Sequence, residues 1–237
     1  GVVAGVVAGF CLAATTLADA LPAVQAIVSQ VSQSQHEGYH LTVENMGLGL
    51  YGGASYNMGY RNRQGTAGLG SLGNQETRLY LQETFAGLGL GVATQGIYQN
   101  VIGELPGLTN PDQIIVVSAH YDHIAGDRPG GDDNASGTAG VLEVARVLSQ
   151  YSFGATIRFV GFNAEENGLL GSQDYVTNYV VPNGENIVAV VNMDMILRPD
   201  FDNDPNAVID LDLGTRTSHV ASLDLAAELR VAAGDYA

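Results

Sequence analysis

Apolar residues at positions 24, 27, 28 and 31 recur with the spacing of one helix face and predict an amphipathic helix over 22–34, with Pro22 in its first turn. Positions 47–73 are rich in Gly, Asn, Tyr and Ser and read as a loop. Asn74 then stands as the N-cap of a helix reaching about Leu88, with Leu81, Phe85 and Leu88 on one face. Beyond it the pattern changes. Strands are predicted at 97–105, 114–119 (IIVVSA), 156–162 (TIRFVGF), 187–193 (IVAVVNM) and 207–213. Helices are predicted at 137–150, 168–179 and 222–233. The run at 114–119, continuous and rich in β-branched residues, fits a strand buried on both faces, and 156–162 and 187–193 read as the next most buried strands. Strands alternating with helices predict an α/β fold, a three-layer sandwich around a largely parallel central sheet. No internal repeat or composition break divides 21–237, which reads as a single domain.

Polar residues collect directly after the three buried runs. IIVVSA leads into His120-Tyr121-Asp122-His123, TIRFVGF into Asn163-Ala164-Glu165-Glu166, and IVAVVNM into Asp194. A fourth cluster, Asp132-Asp133-Asn134-Ala135-Ser136, opens the helix between the first two. Open α/β sheets bind ligands outside the carboxyl ends of their strands, so these clusters are expected to converge. One imidazole among several carboxylates, without thiolates, suits Zn²⁺. The excess of carboxylates over the needs of one ion suggests two metals sharing a bridge, with Asp133, Glu166 and Asp194 supplying the negative charge. In the Glu165-Glu166 pair, adjacent side chains diverge. One can therefore ligate while the other faces a bound water as general base.

Composition narrows the partners. The 237 residues are 46% hydrophobic and 14% charged, which excludes disorder over the chain as a whole. The formal net charge is −16, and all nine basic residues are Arg. Such a surface repels phosphate, so nucleic acid is not an expected partner. The lone cysteine, Cys11, permits neither an intrachain disulfide nor a thiolate metal site. Residues 1–17 are apolar and uncharged, and Ala18-Asp19-Ala20 has the form of a signal cleavage site. Residues 1–20 are accordingly expected to be part of a signal peptide, giving a secreted or periplasmic protein. The run is shorter than the roughly 20 apolar residues of a membrane span.

Four motifs occur in order: His120-x-Asp122, Asp132 to Gly137, Ala164-Glu165-Glu166-x-Gly168-Leu169-x-Gly171-Ser172, and Asn192-Met193-Asp194-Met195. Together they resemble the secreted co-catalytic zinc aminopeptidases, the family that includes bacterial leucyl-type aminopeptidases. The resemblance covers roughly residues 75–235. It implies that His120 and Asp194 bind one zinc, that Asp133 bridges two, and that Glu166 binds the second. It also implies that Glu165 is the general base and that Asp122 fixes the His120 ring. The implied activity is removal of N-terminal residues from peptides with a free amine. The family's second histidine ligand has no counterpart in this sequence. His219, in Arg216-Thr217-Ser218-His219, opens the last predicted helix instead. The expectation is a domain that stops before that ligand, with its second zinc site incomplete.

Two rival readings stay open. The fold could serve as a non-catalytic binding module, or as a carboxypeptidase or deacylase. The latter needs cationic residues to grip a substrate carboxylate, and these are scarce. His36, His40 and His123 read as surface or supporting residues rather than ligands. Asp132 reads as a loop-orienting residue, and Asn134 and Ser136 as ordinary helix-start residues. The acidic cluster at 200–204 reads as a solvated loop, and Tyr51, Tyr56 and Tyr60 as parts of a surface loop.

Overall fold

A computed structural model describes residues 17–47, 71–124 and 130–197. Most of the 1–20 segment, Cys11, the loop tyrosines, the 200–204 cluster, His219 and the elements expected at 207–213 and 222–233 lie outside the described residues.

The chain begins with two helices, α1 (Leu17–Val28) and α2 (Gln33–Gly47). The single helix expected over 22–34 is therefore interrupted at 29–32. Ser29 Oγ–H donates to the Ala26 carbonyl at 2.8 Å, and the amides of Gln30 and Val31 bond three residues back, which closes α1. Next comes α3 (Leu72–Gly87), capped by Ser71, whose Oγ accepts from the Asn74 amide at 3.2 Å. Asn74, the expected cap, is instead buried in the first turn and exchanges side-chain hydrogen bonds with Asn163 at 2.9 and 3.1 Å.

Five strands form one sheet: β1 (Gly91–Gln95), β2 (Asn100–Leu105), β3 (Asn110–His120), β4 (Ala155–Phe162) and β5 (Asn186–Asn192). Their order is β1-β2-β4-β3-β5. The trio β4-β3-β5 is parallel, while β1 and β2 attach antiparallel on the β4 side. Helix α4 (Gly137–Leu148) joins β3 to β4. Between β4 and β5 runs α5 (Leu170–Tyr175), which continues through a π-helical stretch (Val176–Val180) into α6 (Val181–Asn183).

The alternation of side chains along each strand builds two cores. On one face Val117 and Ala119 of β3 and Ile157 and Phe159 of β4 pack with Leu81 and Phe85 of α3 and Val141, Leu142, Val144 and Ala145 of α4. On the other, Ile114 and Val116 of β3 and Val160 of β4 pack with Tyr175 of α5. The result is the expected three-layer arrangement.

β5 differs from expectation. It lies at the edge of the described sheet and its residues alternate between half-buried and exposed, with Val188 and Val190 exposed. Among the described residues no helix is long and apolar enough to cross a membrane.

Candidate metal centre

The parallel register aligns the three strand ends. His120 pairs with Phe162, and Ser118 with Asn192. Two residues past Asn192, Asp194 is therefore level with His120, and two past Phe162, Ala164 is level with Asp122. The Met193 amide donates to the Ser118 carbonyl at 2.8 Å and the Tyr121 amide to the Phe162 carbonyl at 2.8 Å, which extends the ladder to the rim. Side chains separated by tens of residues meet there for this reason.

His120 is the centre of the cluster. Its Nε2 lies 3.2 Å from Asp133 Oδ1 and 3.6 Å from Asp194 Oδ1. One ligand atom from each of the three residues falls within 4.8 Å of the others, so they form a group that could hold a metal ion. The imidazole is 4% exposed, whereas the side chains of Asp133 and Asp194 are each 46% exposed. On its other side, Nδ1 faces the Asp122 carbonyl at 3.1 Å and the Asp122 carboxylate at 3.6 Å. Burial pulls the imidazole pKa down. The hydrogen bonds to Asp122, Asp133 and Asp194 outweigh it and push the value up to about 12.

Asp122 is fully buried. Its Oδ1 accepts from the Glu165 amide at 3.0 Å and its Oδ2 from the Glu166 amide at 3.3 Å. One carboxylate thus ties the end of β3 to the loop after β4. Burial raises the pKa of both Glu165 and Glu166, and the surrounding aspartates raise it further against the opposing pull of His120. Glu166 stands outside the three-residue group and accepts from the Ile124 amide through Oε1 at 3.1 Å.

Asp133 lies in the turn from Gly131 to Ser136, where it and Asn134 depart from helical dihedrals. The cluster's neighbours carry the remaining geometry. Asn134 Nδ2 donates to the Met193 carbonyl at 3.0 Å, and its Oδ1 accepts from the amides of Gly137 at 2.9 Å and Met195 at 3.4 Å. It therefore grips the backbone on both sides of Asp194. Asp132 Oδ1 accepts from the Leu197 amide at 3.2 Å, and Ser136 Oγ accepts from the Ile196 amide at 3.0 Å. The approach is close enough that a Cβ on Gly137 would sit 2.3 Å from the Met193 carbonyl oxygen.

Sequence reasoning treated Asn134 and Ser136 as helix-start residues. The only local sign of their longer reach was a run of short polar side chains ending in glycine. Two non-glycine residues beside the carboxylates, Ala164 (φ 57°) and Met195 (φ 49°), adopt left-handed backbone, a strained conformation that clusters at functional sites. His123 is buried beside Asp122 in the chain, not on the surface.

The chain is similar to known proteins in fold and in sequence. The structure is similar in fold to the LapA aminopeptidase of Legionella pneumophila, with a TM-score of 0.61 and 20% identity, covering 78% of this chain and 47% of that one. In sequence, the chain is 40% identical over 117 residues to aminopeptidase YwaD of Bacillus subtilis, covering 48% of this chain and 25% of that protein. It is 39% identical over 103 residues to a probable zinc metalloprotease of Pyrenophora teres f. teres, covering 40% and 22%. The matched stretch thus spans a quarter or less of each of these two relatives. Residues 100–232, more than half of the chain, match the family model described as Peptidase family M28, and the chain belongs to that family.

Proposed function

We propose that this chain is the metal-holding part of a zinc-dependent aminopeptidase. The observation that carries the reading is the spacing of donors around His120. Zinc–nitrogen and zinc–oxygen distances of about 2.0–2.2 Å in a tetrahedral site put neighbouring donors about 3.3–3.6 Å apart. The separations of 3.2 and 3.6 Å from His120 Nε2 to Asp133 and Asp194 fit that requirement before any ion is placed. His120 Nε2 meets two carboxylates at once, as a shared ion requires and a single N–H cannot satisfy equally well.

His120, Asp133 and Asp194 would hold the first ion. Glu166, for which Asp133 is the leading charged neighbour, would extend the set toward a second. When bound, the metal supplies Lewis acidity toward a scissile carbonyl and makes a water more acidic. Glu165 takes the proton of the attacking water and returns it to the leaving amine. Its pKa, raised by burial, suits both halves of that transfer. Asp122 holds the His120 ring and the Glu165-Glu166 backbone in one frame. The surrounding carboxylates favour a substrate's free α-ammonium. Of the three arginines among the described residues, Arg146 is paired with Glu143 and Arg158 with Glu104 and Glu185, which leaves Arg78 as the one candidate for a substrate carboxylate.

Hydrolysis of aminoacyl-nitroanilides, compared with the same compounds blocked at nitrogen, tests the reading. Loss of rate on blocking is expected, and equal rates remove the aminopeptidase assignment. Metal analysis of the full-length protein is expected to give close to two zinc per molecule. A chain that binds none supports the binding-module alternative. The same reading has the protein exported, on the strength of the apolar run at 1–17 and Ala18-Asp19-Ala20. A mature N-terminus just after Ala20 in the extracellular or periplasmic fraction is the expected result.

A further inference from the structure

The turn that carries Asp133 is held from outside the family-matched segment. Its backbone is non-helical at Asp133 (φ −97°, ψ 98°) and Asn134 (φ −131°, ψ 47°), and it is entered through a left-handed Gly130 (φ 61°, ψ 45°). One wide backbone bond, from the Ala135 amide to the Gly130 carbonyl at 3.0 Å, spans the turn, but Asp133 and Asn134 lack helical dihedrals, so its shape also depends on what it touches. On one side it touches α2.

Positions 32, 36, 40 and 44 form a single i, i+4 row. Each member meets the turn or α4. The Ser32 amide donates to Glu143 Oε1 at 2.7 Å. His36 lies against the Ser136 backbone. His40 Nε2 is 2.8 Å from the Gly131 carbonyl oxygen, and because a carbonyl only accepts, this nitrogen is the donor. The Glu44 carboxylate is so near that a Cβ on Gly131 would sit 3.0 Å from its Oε1. The base of the row is pinned as well. Arg146 donates to Glu143 at 2.6 and 2.7 Å and to the Gln30 carbonyl at 2.6 Å.

We propose that His40 is a positioning residue for the metal centre: through its bond to the Gly131 carbonyl, α2 sets the direction in which Asp133, two residues on, presents its carboxylate to His120. The proposal rests on the metal reading above. It assigns a role to a helix that precedes residues 100–232, the segment the family model matches. His40 contacts the turn's backbone, and its effect on the metal passes through Gly131.

The test measures zinc affinity of the full chain by competition against a chromophoric chelator, together with melting of the metal-free protein. His40→Leu keeps the bulk and removes the donor. It is expected to weaken zinc binding by up to about tenfold, the low end of the cost of losing a direct outer partner of a metal ligand, because His40 acts one step further out. Metal-free melting should move by about 2–4 °C or less. His40→Gln, whose amide can donate to the same carbonyl, is expected to restore affinity. Unchanged affinity in His40→Leu, or equal loss in His40→Gln, overturns the proposal. If His40→Leu does not fold, His40→Gln against the shorter His40→Asn decides: a gap between them supports the role, and two wild-type affinities overturn it. A wild-type chain that takes up no zinc overturns the metal reading and this proposal with it. That result is distinct from a zinc-loaded wild type indifferent to His40.

Discussion

The two sides of the metal-holding cluster are built in opposite ways. His120 and Asp122 are buried, and the imidazole is oriented through its own side-chain contacts. Asp133 and Asp194 have side chains about half exposed, and the segment around Asp194 is held through the backbone of Met193, Ile196 and Leu197 by Asn134, Ser136 and Asp132, the neighbours of Asp133. Burial gives the first side a fixed geometry, because an unpaired polar group there is costly. Exposure lets the second side face water, metal and substrate while the chain beneath it stays in place. Variants on the two sides should therefore fail differently.

The largest effect is expected at Asp122. Asp122→Ala leaves the Glu165 and Glu166 amides without their acceptor and removes the buried charge 3.6 Å from His120 Nδ1, although the ring keeps the residue's carbonyl. Removing one partner of a buried charged network typically costs about 3–5 kcal/mol. Chemical denaturation of the metal-free chain should show a loss of that order, with activity lost as well. A stability change below about 1 kcal/mol would mean that the buried side is not the frame of the site.

Glu165→Gln comes next, and it separates chemistry from architecture. Its amide still donates to Asp122, so fold and zinc content should be kept. Turnover should fall about 10²–10⁴-fold, the usual contribution of a general base. Steady-state rates alongside metal analysis check both halves, and unchanged turnover removes Glu165 from that role.

A pH effect distinguishes the buried imidazole directly. In the metal-free chain the pKa of His120 is pushed up to about 12, above an unfolded value of about 6.5. The stabilisation from the protonated ring is therefore complete below about pH 6.5 and fades as pH rises toward 12. Zinc needs the neutral ring, so loading at neutral pH should release about one proton at this position and tighten up to about tenfold per pH unit. Calorimetric titration in two buffers of different ionisation enthalpy measures that proton. Its absence from wild type, or its persistence in His120→Gln, would count against this assignment.

How much of this was legible in the sequence follows the same division. The strand ends and their polar clusters could be read because β3 and β4 are mostly apolar up to the rim, at His120 and just before Asn163, with Arg158 the one charge inside β4. The grip on Asp194 could not be read, because Asn134 reaches Met193 and Met195 across about 60 residues and nothing local encodes that contact. β1 was missed for a related reason. Four of its five residues are exposed, so it has no apolar alternation to betray it. β5 reads as a buried strand because IVAVVNM is an apolar run up to Asn192. Its place at the edge of the described sheet is a property of topology. Asn74 looked like a cap and is one turn-mate too late. Ser71 takes that bond, which frees Asn74 to pair with Asn163 beneath Glu165.

The smallest expected change in stability, and the sharpest test of the comparison, is Asp194→Asn. The substitution keeps shape and removes one negative charge from a half-exposed side chain, while the bonds that hold this segment run to the backbone of Met193, Met195, Ile196 and Leu197. The metal-free chain should therefore lose clearly less stability than Asp122→Ala does, because all that goes is one half-exposed partner of the protonated His120. Zinc affinity should nevertheless fall steeply, because the amide replaces an anionic ligand. Thermal melts with and without zinc read both quantities in one experiment. A metal-free variant destabilised as badly as Asp122→Ala would show that the Asp194 carboxylate is itself part of the frame, and the division between a fixed buried side and a responsive exposed side would not hold.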